Sequence, residues 1–199
     1  ALGANTTGQS NVAVGENALG NYNVTDGSES FNTALGYRAG LSVSTGQQNV
    51  LIGSQAGDAL TDADINVAIG NNALTTDTLG SRSVAIGYEA LQNQNFTSAT
   101  STYNTAVGGQ AGKSVTTGLQ NTLIGGLAGD AITDADFNVA VGHNALSVNV
   151  LGSKSVAIGH NALLFQLEKF KAEHGTAILM DVKSGAIKAI SNLGKTEEE

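Results

Sequence analysis

The sequence has no proline, no cysteine and no tryptophan, and charged residues fill only 13% of its 199 positions. Without cysteine there is no disulfide framework, no thiolate metal site and no cysteine nucleophile. The missing proline, together with the lack of a three-residue glycine period, excludes collagen. No run of 18 apolar residues occurs, so no segment reads as a transmembrane helix. Bases are scarce: nine Lys and Arg stand against 17 Asp and Glu, a net charge of −8. That balance argues against nucleic acid, whose phosphates require a basic face, and against an anionic membrane surface. An apolar fraction of 41% argues against disorder.

What the sequence does have is glycine, 26 residues of it, and a repeat. A nonapeptide of the form Asn/Ser–Val/Thr–Ala/Leu–aliphatic–Gly–x–x–Ala–Leu/Gly begins at Asn11, Asn32, Asn49, Asn66, Ser83, Asn104, Asn121, Asn138 and Ser155. Its glycine falls at Gly15, Gly36, Gly53, Gly70, Gly87, Gly108, Gly125, Gly142 and Gly159, with spacings of 21, 17, 17, 17, 21, 17, 17 and 17. Four copies therefore make one larger block, and the blocks 11–82 and 83–154 agree at 41 of 72 positions. Residues 1–10 read as the end of an earlier block.

A rung this short cannot hold a helix pair, yet it has room for two or three short strands with corners. The segment Val-Ala-Ile-Gly alternates large and small, as a strand does. The expected fold is all-β: a parallel β-solenoid of 17- and 21-residue rungs over residues 1–163, each rung pairing with the next at about 4.8 Å. Proline is then missing because each strand needs its N–H groups for the ladder. Val12 and Val14, Val67 and Ile69, and Val84 and Ile86 are expected to fill the inside. The Ala13/Gly15 face is expected to turn outward against a neighbouring copy. The Asn column before each strand suits a corner or a stacked amide ladder.

The SVAIGxxAL core resembles the head repeats of trimeric autotransporter adhesins and, more closely, the NTAxGxxAL arrays of bacterial and phage tail-fibre proteins. The resemblance covers residues 1–163. It implies a left-handed β-roll, three chains side by side, end-to-end fibre neighbours, a cell-surface or virion-tip location and an adhesive role toward a host glycan or surface protein. Both rung lengths exceed that of the adhesin repeat.

Residues 164–199 differ in character, with 11 charged residues in 36 against 15 in the preceding 163. Apolar residues Leu164, Phe165, Leu167 and Phe170 among charges predict a short amphipathic helix. TAILMDV and AIKAISNL about Lys183-Ser184-Gly185 predict a β-hairpin. This stretch resembles a hairpin of penicillin-binding transpeptidases, but no Ser-x-x-Lys nucleophile motif follows, so no such activity is implied. The helix and hairpin are expected to cap the open strand edge of the array.

Three groups of polar and aromatic residues are candidate sites. The acidic loops holding Asp58, Asp62 and Asp64, and again Asp130, Asp134 and Asp136, offer carboxylates to calcium or simply shape turns. His143 and His160 share one position in consecutive rungs and should stack. That position varies elsewhere, Tyr37 and Tyr88 included, as a recognition surface would. The two 21-residue rungs add Tyr22, Phe96 and Tyr103 as candidate ligand contacts. No Ser/His/Asp set, P-loop or dinucleotide glycine motif is present. No catalytic residue and no cofactor other than calcium is expected, nor any membrane insertion. The sequence reads as a non-enzymatic adhesive or structural fibre segment. An ice- or crystal-binding solenoid, or a spacer with no ligand, is the alternative.

Overall fold

The structure is a computed structural model and describes residues 1–3, 8–25, 27, 29–160, 176–180 and 187–192. The chain divides into two compact units, Ala1–Leu164 and Phe165–Glu199.

The first unit is a parallel β-solenoid. Nine three-residue strands form its main sheet: β1 (Val12–Val14), β2 (Thr33–Leu35), β3 (Val50–Ile52), β4 (Val67–Ile69), β6 (Val84–Ile86), β8 (Thr105–Val107), β9 (Thr122–Ile124), β10 (Val139–Val141) and β11 (Val156–Ile158). They stack in chain order, each parallel to the next, with Val12 opposite Thr33 and Val67 opposite Val84. Two shorter strands, β5 (Gly80–Ser81) and β7 (Thr100–Ser101), pair beside the 21-residue rung. Eight steps of about 4.8 Å separate β1 from β11 by about 40 Å.

The interior is thinner than the alternation suggests, and the strands face the opposite way from expectation. The middle residue of each strand points inward: Ala34, Leu51, Ala68, Ala85, Ala106, Leu123 and Ala140 are fully buried. The flanking large residues point out, and Val12 and Ile158 stand 54% and 70% exposed. The expected Val/Ile core and Ala/Gly outer face are thus exchanged. The reason lies in the returning part of each rung, which already fills the coil and in most rungs leaves room only for a methyl group across from it.

That filling follows a two-way exchange. One corner column holds Leu19, Gly40, Gly57, Leu74, Leu91, Gly112, Gly129 and Leu146, all left-handed with φ between 47° and 60°. Where it holds leucine, the strand centre is Ala and the next buried position is Tyr22, Asp77, Gln94 or Asn149. Where it holds glycine, that position is Val43, Leu60, Val115 or Ile132. A Cβ on Gly57 would lie 2.8 Å from both Leu51 Cδ2 and Leu60 Cδ1, so glycine there makes space for the aliphatic pair. A leucine in left-handed backbone costs about 1–2 kcal/mol, which its complete burial offsets.

The glycine of each nonapeptide has a backbone reason. From Gly15 to Gly159 these residues adopt φ between 124° and 141°, a region L side chains rarely enter. A Cβ on Gly15 would also lie 2.5 Å from the carbonyl oxygen of Gly36 in the next rung.

The asparagine column forms the amide ladder, inside the coil. Asn32 Oδ1 accepts the N–H of Asn49 at 2.9 Å, and Asn49 Oδ1 accepts that of Asn66 at 2.9 Å. Meanwhile the Nδ2 of Asn49 donates across the rung to the carbonyl of Ala63 at 2.8 Å. Asn32, Asn49, Asn66, Asn104 and Asn121 thus each satisfy one donor of the next rung and one carbonyl of their own.

In the second unit, β12 (Thr176–Met180) and β13 (Ile187–Asn192) form an antiparallel pair with a register shift between Leu179 and Met180. The two strands pair as expected of a hairpin, and the turn expected at Lys183-Ser184-Gly185 lies outside the described residues. The helix expected from Leu164 lies outside the described residues.

Candidate functional site

The exposed positions that sequence reasoning singled out lie at the corners of the rungs, which divide into columns along the solenoid. The first column follows the repeat glycine and runs Glu16, Tyr37, Ser54, Asn71, Tyr88, Gly109, Gly126, His143, His160. Tyr37 and Tyr88 are exposed there. His143 and His160 stack as expected, with ring centroids 5.1 Å apart and planes inclined by 17°.

Tyr88 lies beside a charged cluster that bridges rungs. Lys113 Nζ donates to Glu89 Oε2 at 2.6 Å, and Gln110 Nε2 donates to the same oxygen at 2.9 Å. The hydrogen bond from Lys113, then that from Gln110, pulls the Glu89 carboxyl down to about 2. The same carboxylate raises the Tyr88 hydroxyl through a hydrogen bond and its charge.

The acidic loops are dispersed. Asp64 Oδ1 accepts the backbone N–H of Gln47, and Asp136 Oδ1 that of Leu119, each at 2.8 Å. Asp62 Oδ1 accepts from the Thr45 hydroxyl at 2.5 Å, and Asp134 Oδ1 from Thr133 at 3.1 Å. These are turn-forming roles. Asp58 meets Arg38 at 3.1 Å, yet burial raises its carboxyl more than the guanidinium lowers it. Asp130 occupies the corresponding place one block later, where Gln110 replaces the arginine. Burial raises it as well, and its Oδ1 has no hydrogen-bond partner among the described residues. No three His, Asp or Glu side chains among the described residues gather closely enough to hold a metal ion.

Two expected ligand contacts are corrected. Tyr22 is fully buried and Phe96 is 7% exposed, so neither is available to a ligand. These two side chains of the 21-residue rungs turn inward as plugs rather than outward as a bulge. Around the second plug lies a buried polar network that the sequence did not reveal. Asp77 Oδ1 accepts the N–H of Gly80 at 3.1 Å and of Phe96 at 3.0 Å, and its Oδ2 accepts Gln94 Nε2 at 2.6 Å. Gln94 also donates to Ser83 Oγ at 2.8 Å and accepts from Asn104 Nδ2 at 2.8 Å. Ser83 Oγ lies 2.6 Å from Thr102 Oγ1, which accepts the N–H of Asn104 at 3.4 Å. Thr102 thus carries the backbone step of the ladder past Ser83, while Gln94 takes the Asn104 side-chain amide.

A second exposed column escaped the sequence analysis. It precedes the ladder asparagine and runs Ser10, Phe31, Gln48, Ile65, Arg82, Tyr103, Gln120, Phe137, Lys154, all exposed and all left-handed with φ between 52° and 65°. Its signal was present in the sequence, one residue before each motif, but only the backbone shows that the position is a corner. Tyr103, taken as part of an insert, belongs to this column, and the Arg82 guanidinium lies 5.8 Å from its ring centroid.

Comparison with family models, with curated proteins and with solved structures returns no match. Among the described residues no helix is long and apolar enough to cross a membrane.

Proposed function

We propose that this chain is a non-enzymatic, extracellular fibre segment that assembles with two copies of itself and presents a rigid repetitive rod for attachment. The observation that carries this reading is the outer face of the main sheet. Val12, Val14, Val156 and Ile158 of the end strands and Leu35 and Ile124 between them are each at least 40% exposed. The outward apolar residues of the other strands, Val67 and Ile69 among them, are half-buried. An apolar face nine strands long exceeds what monomeric proteins normally leave in water. Copies packing face to face would bury it, with the parallel ladders supplying stiffness. The nonapeptide's resemblance to adhesin and tail-fibre repeats supports an adhesive role on a bacterial surface or a phage tail. An ice-binding face would need threonine in every rung, whereas only Thr33, Thr105 and Thr122 stand in the strands' first outward column.

Solution mass tests the assembly. A stable trimer is expected, and replacing Val67 and Ile69 by lysine should reduce it to a folded monomer. A wild-type chain that stays monomeric at high micromolar concentration overturns the proposal.

A further inference from the structure

The left-handed corner column carries a pattern that the internal duplication has kept. Block one reads Phe31, Gln48, Ile65, Arg82 in successive rungs, and block two reads Tyr103, Gln120, Phe137, Lys154. Aromatic, glutamine, large apolar and cation recur in the same order. The column after the repeat glycine keeps none of its side chains between the blocks: Glu16, Tyr37, Ser54 and Asn71 become Tyr88, Gly109, Gly126 and His143.

Backbone geometry does not call for these residues. Left-handed backbone favours Gly, Asn and Asp, and a β-branched residue such as Ile65, at φ 59°, is an outlier there. Nor does packing, since Phe31, Ile65, Tyr103 and Phe137 are 52%, 41%, 54% and 45% exposed. Large side chains held in strained backbone and in water point to a role outside folding.

Charge identifies the occupant. The solenoid unit contains four Arg and Lys side chains, and among the described residues two of them are in ion pairs, Arg38 with Asp58 and Lys113 with Glu89. The other two, Arg82 and Lys154, both stand in this column, in a chain of net charge −8. Their rung neighbours Asp64 and Asp136 each already accept a backbone N–H, and neither forms an ion pair with them.

We propose that this column binds a linear, carboxylate-bearing polysaccharide lying along the solenoid. Sugar rings stack on the Phe/Tyr and Ile/Phe rungs, while carboxylates meet Arg82 and Lys154. Gln48 and Gln120 offer hydrogen bonds to ring hydroxyls. The two cations stand four rungs apart, about 19 Å. A chain long enough to reach both should therefore bind much more tightly than one that reaches a single block. The inference deepens the adhesive reading above, but it concerns a corner rather than the sheet face.

The test uses the full chain and polygalacturonate as the probe, with its methyl ester as the neutral control, by calorimetry. Binding to the acid form is expected to be at least tenfold tighter than to the ester. It should fall at least tenfold in the pair R82A/K154A and in Y103N/F137N. The asparagine variants relax the backbone, so their melting temperature should hold or rise while binding falls. Equal binding of acid and ester overturns the proposal. So does a Y103N/F137N variant with full binding, or one that melts lower and loses its oligomeric mass, which would make the column an interface between copies. Because mass is read separately, a monomeric chain that still binds the polymer would sink the assembly reading and leave this one standing.

Discussion

At the scale of single residues, the buried amide of Asn121 and the half-buried carboxyl of Asp130 act in opposite directions. Asn121 Oδ1 accepts the N–H of Asn138 at 3.0 Å while its Nδ2 donates to the carbonyl of Ala135 at 2.9 Å. Replacing it by alanine strands both partners away from water, at about 1–3 kcal/mol each. Chemical denaturation of Asn121→Ala should therefore show a loss of about 2–6 kcal/mol. Asp130 is the contrary case. Burial raises its carboxyl, so protonation favours the folded chain. Whatever stability this side chain confers is complete at acid pH and is lost as pH rises through its folded value. Asp130→Asn should raise the melting temperature at pH 7 and lose that advantage in acid. Asp58→Asn should gain less, because it also gives up Arg38. Glu89 has the sign reversed. Its carboxyl is held at about 2 instead of 4.5, so the support from Lys113 and Gln110 is complete above pH 4.5 and disappears as pH falls toward 2. A Glu89→Gln variant should show a flatter stability profile across that acid range than the parent.

At the scale of the rung, volume is conserved between positions rather than at each one. Ala68→Leu should destabilise by about 1–3 kcal/mol through overpacking against Leu74, and adding Leu74→Gly should recover much of that loss. The pair then copies the rung of Leu51 and Gly57. A thermodynamic cycle with no coupling between the two sites would contradict the exchange. The rung also shows where sequence reading succeeds and where it stops. Period-two alternation located every main strand, and the spacing of the glycines gave the stacking. Alternation alone cannot say which side is inside, because that depends on how much volume the rest of the rung brings. Leu60, Leu74, Val43 and Ile132 lie in segments without a strand pattern, so the volume they bring is invisible to a strand-period argument. The same gap hid the burial of Tyr22 and Phe96, and the network of Asp77 and Gln94.

At the scale of the solenoid, the nine parallel strands were legible from repetition. The exposed columns were legible only in part. The column of His143 and His160 stood out because it follows the repeat glycine inside the motif. The column of Phe31, Tyr103 and Phe137 sits one residue outside it, and nothing in the residues themselves marks left-handed backbone. A single break in the ladder should be felt along the array. Gly87→Ala would force a Cβ onto the backbone of Gly108, at a φ of 133°. It should cost several kcal/mol by the strain of that region and the clash together. Hydrogen exchange should then rise most in β6 and β8 and decay with distance, as nearest-neighbour coupling requires. Uniform loss of protection from β1 to β11 would contradict that locality.

The order of leucine and glycine in the left-handed corner has a further consequence for assembly. A solenoid with identical rungs could close with any strand against any other, because the asparagine ladder and the glycine stack hardly change from level to level. Here a slip by one rung sets leucine against the wrong neighbour in one place and opens a void in another. A slip by four rungs, one whole block, meets neither fault. The corner thus works as a parity check on folding. It rejects an error of one rung and passes an error of one block, so insertions and deletions tolerated by this array should come in whole blocks.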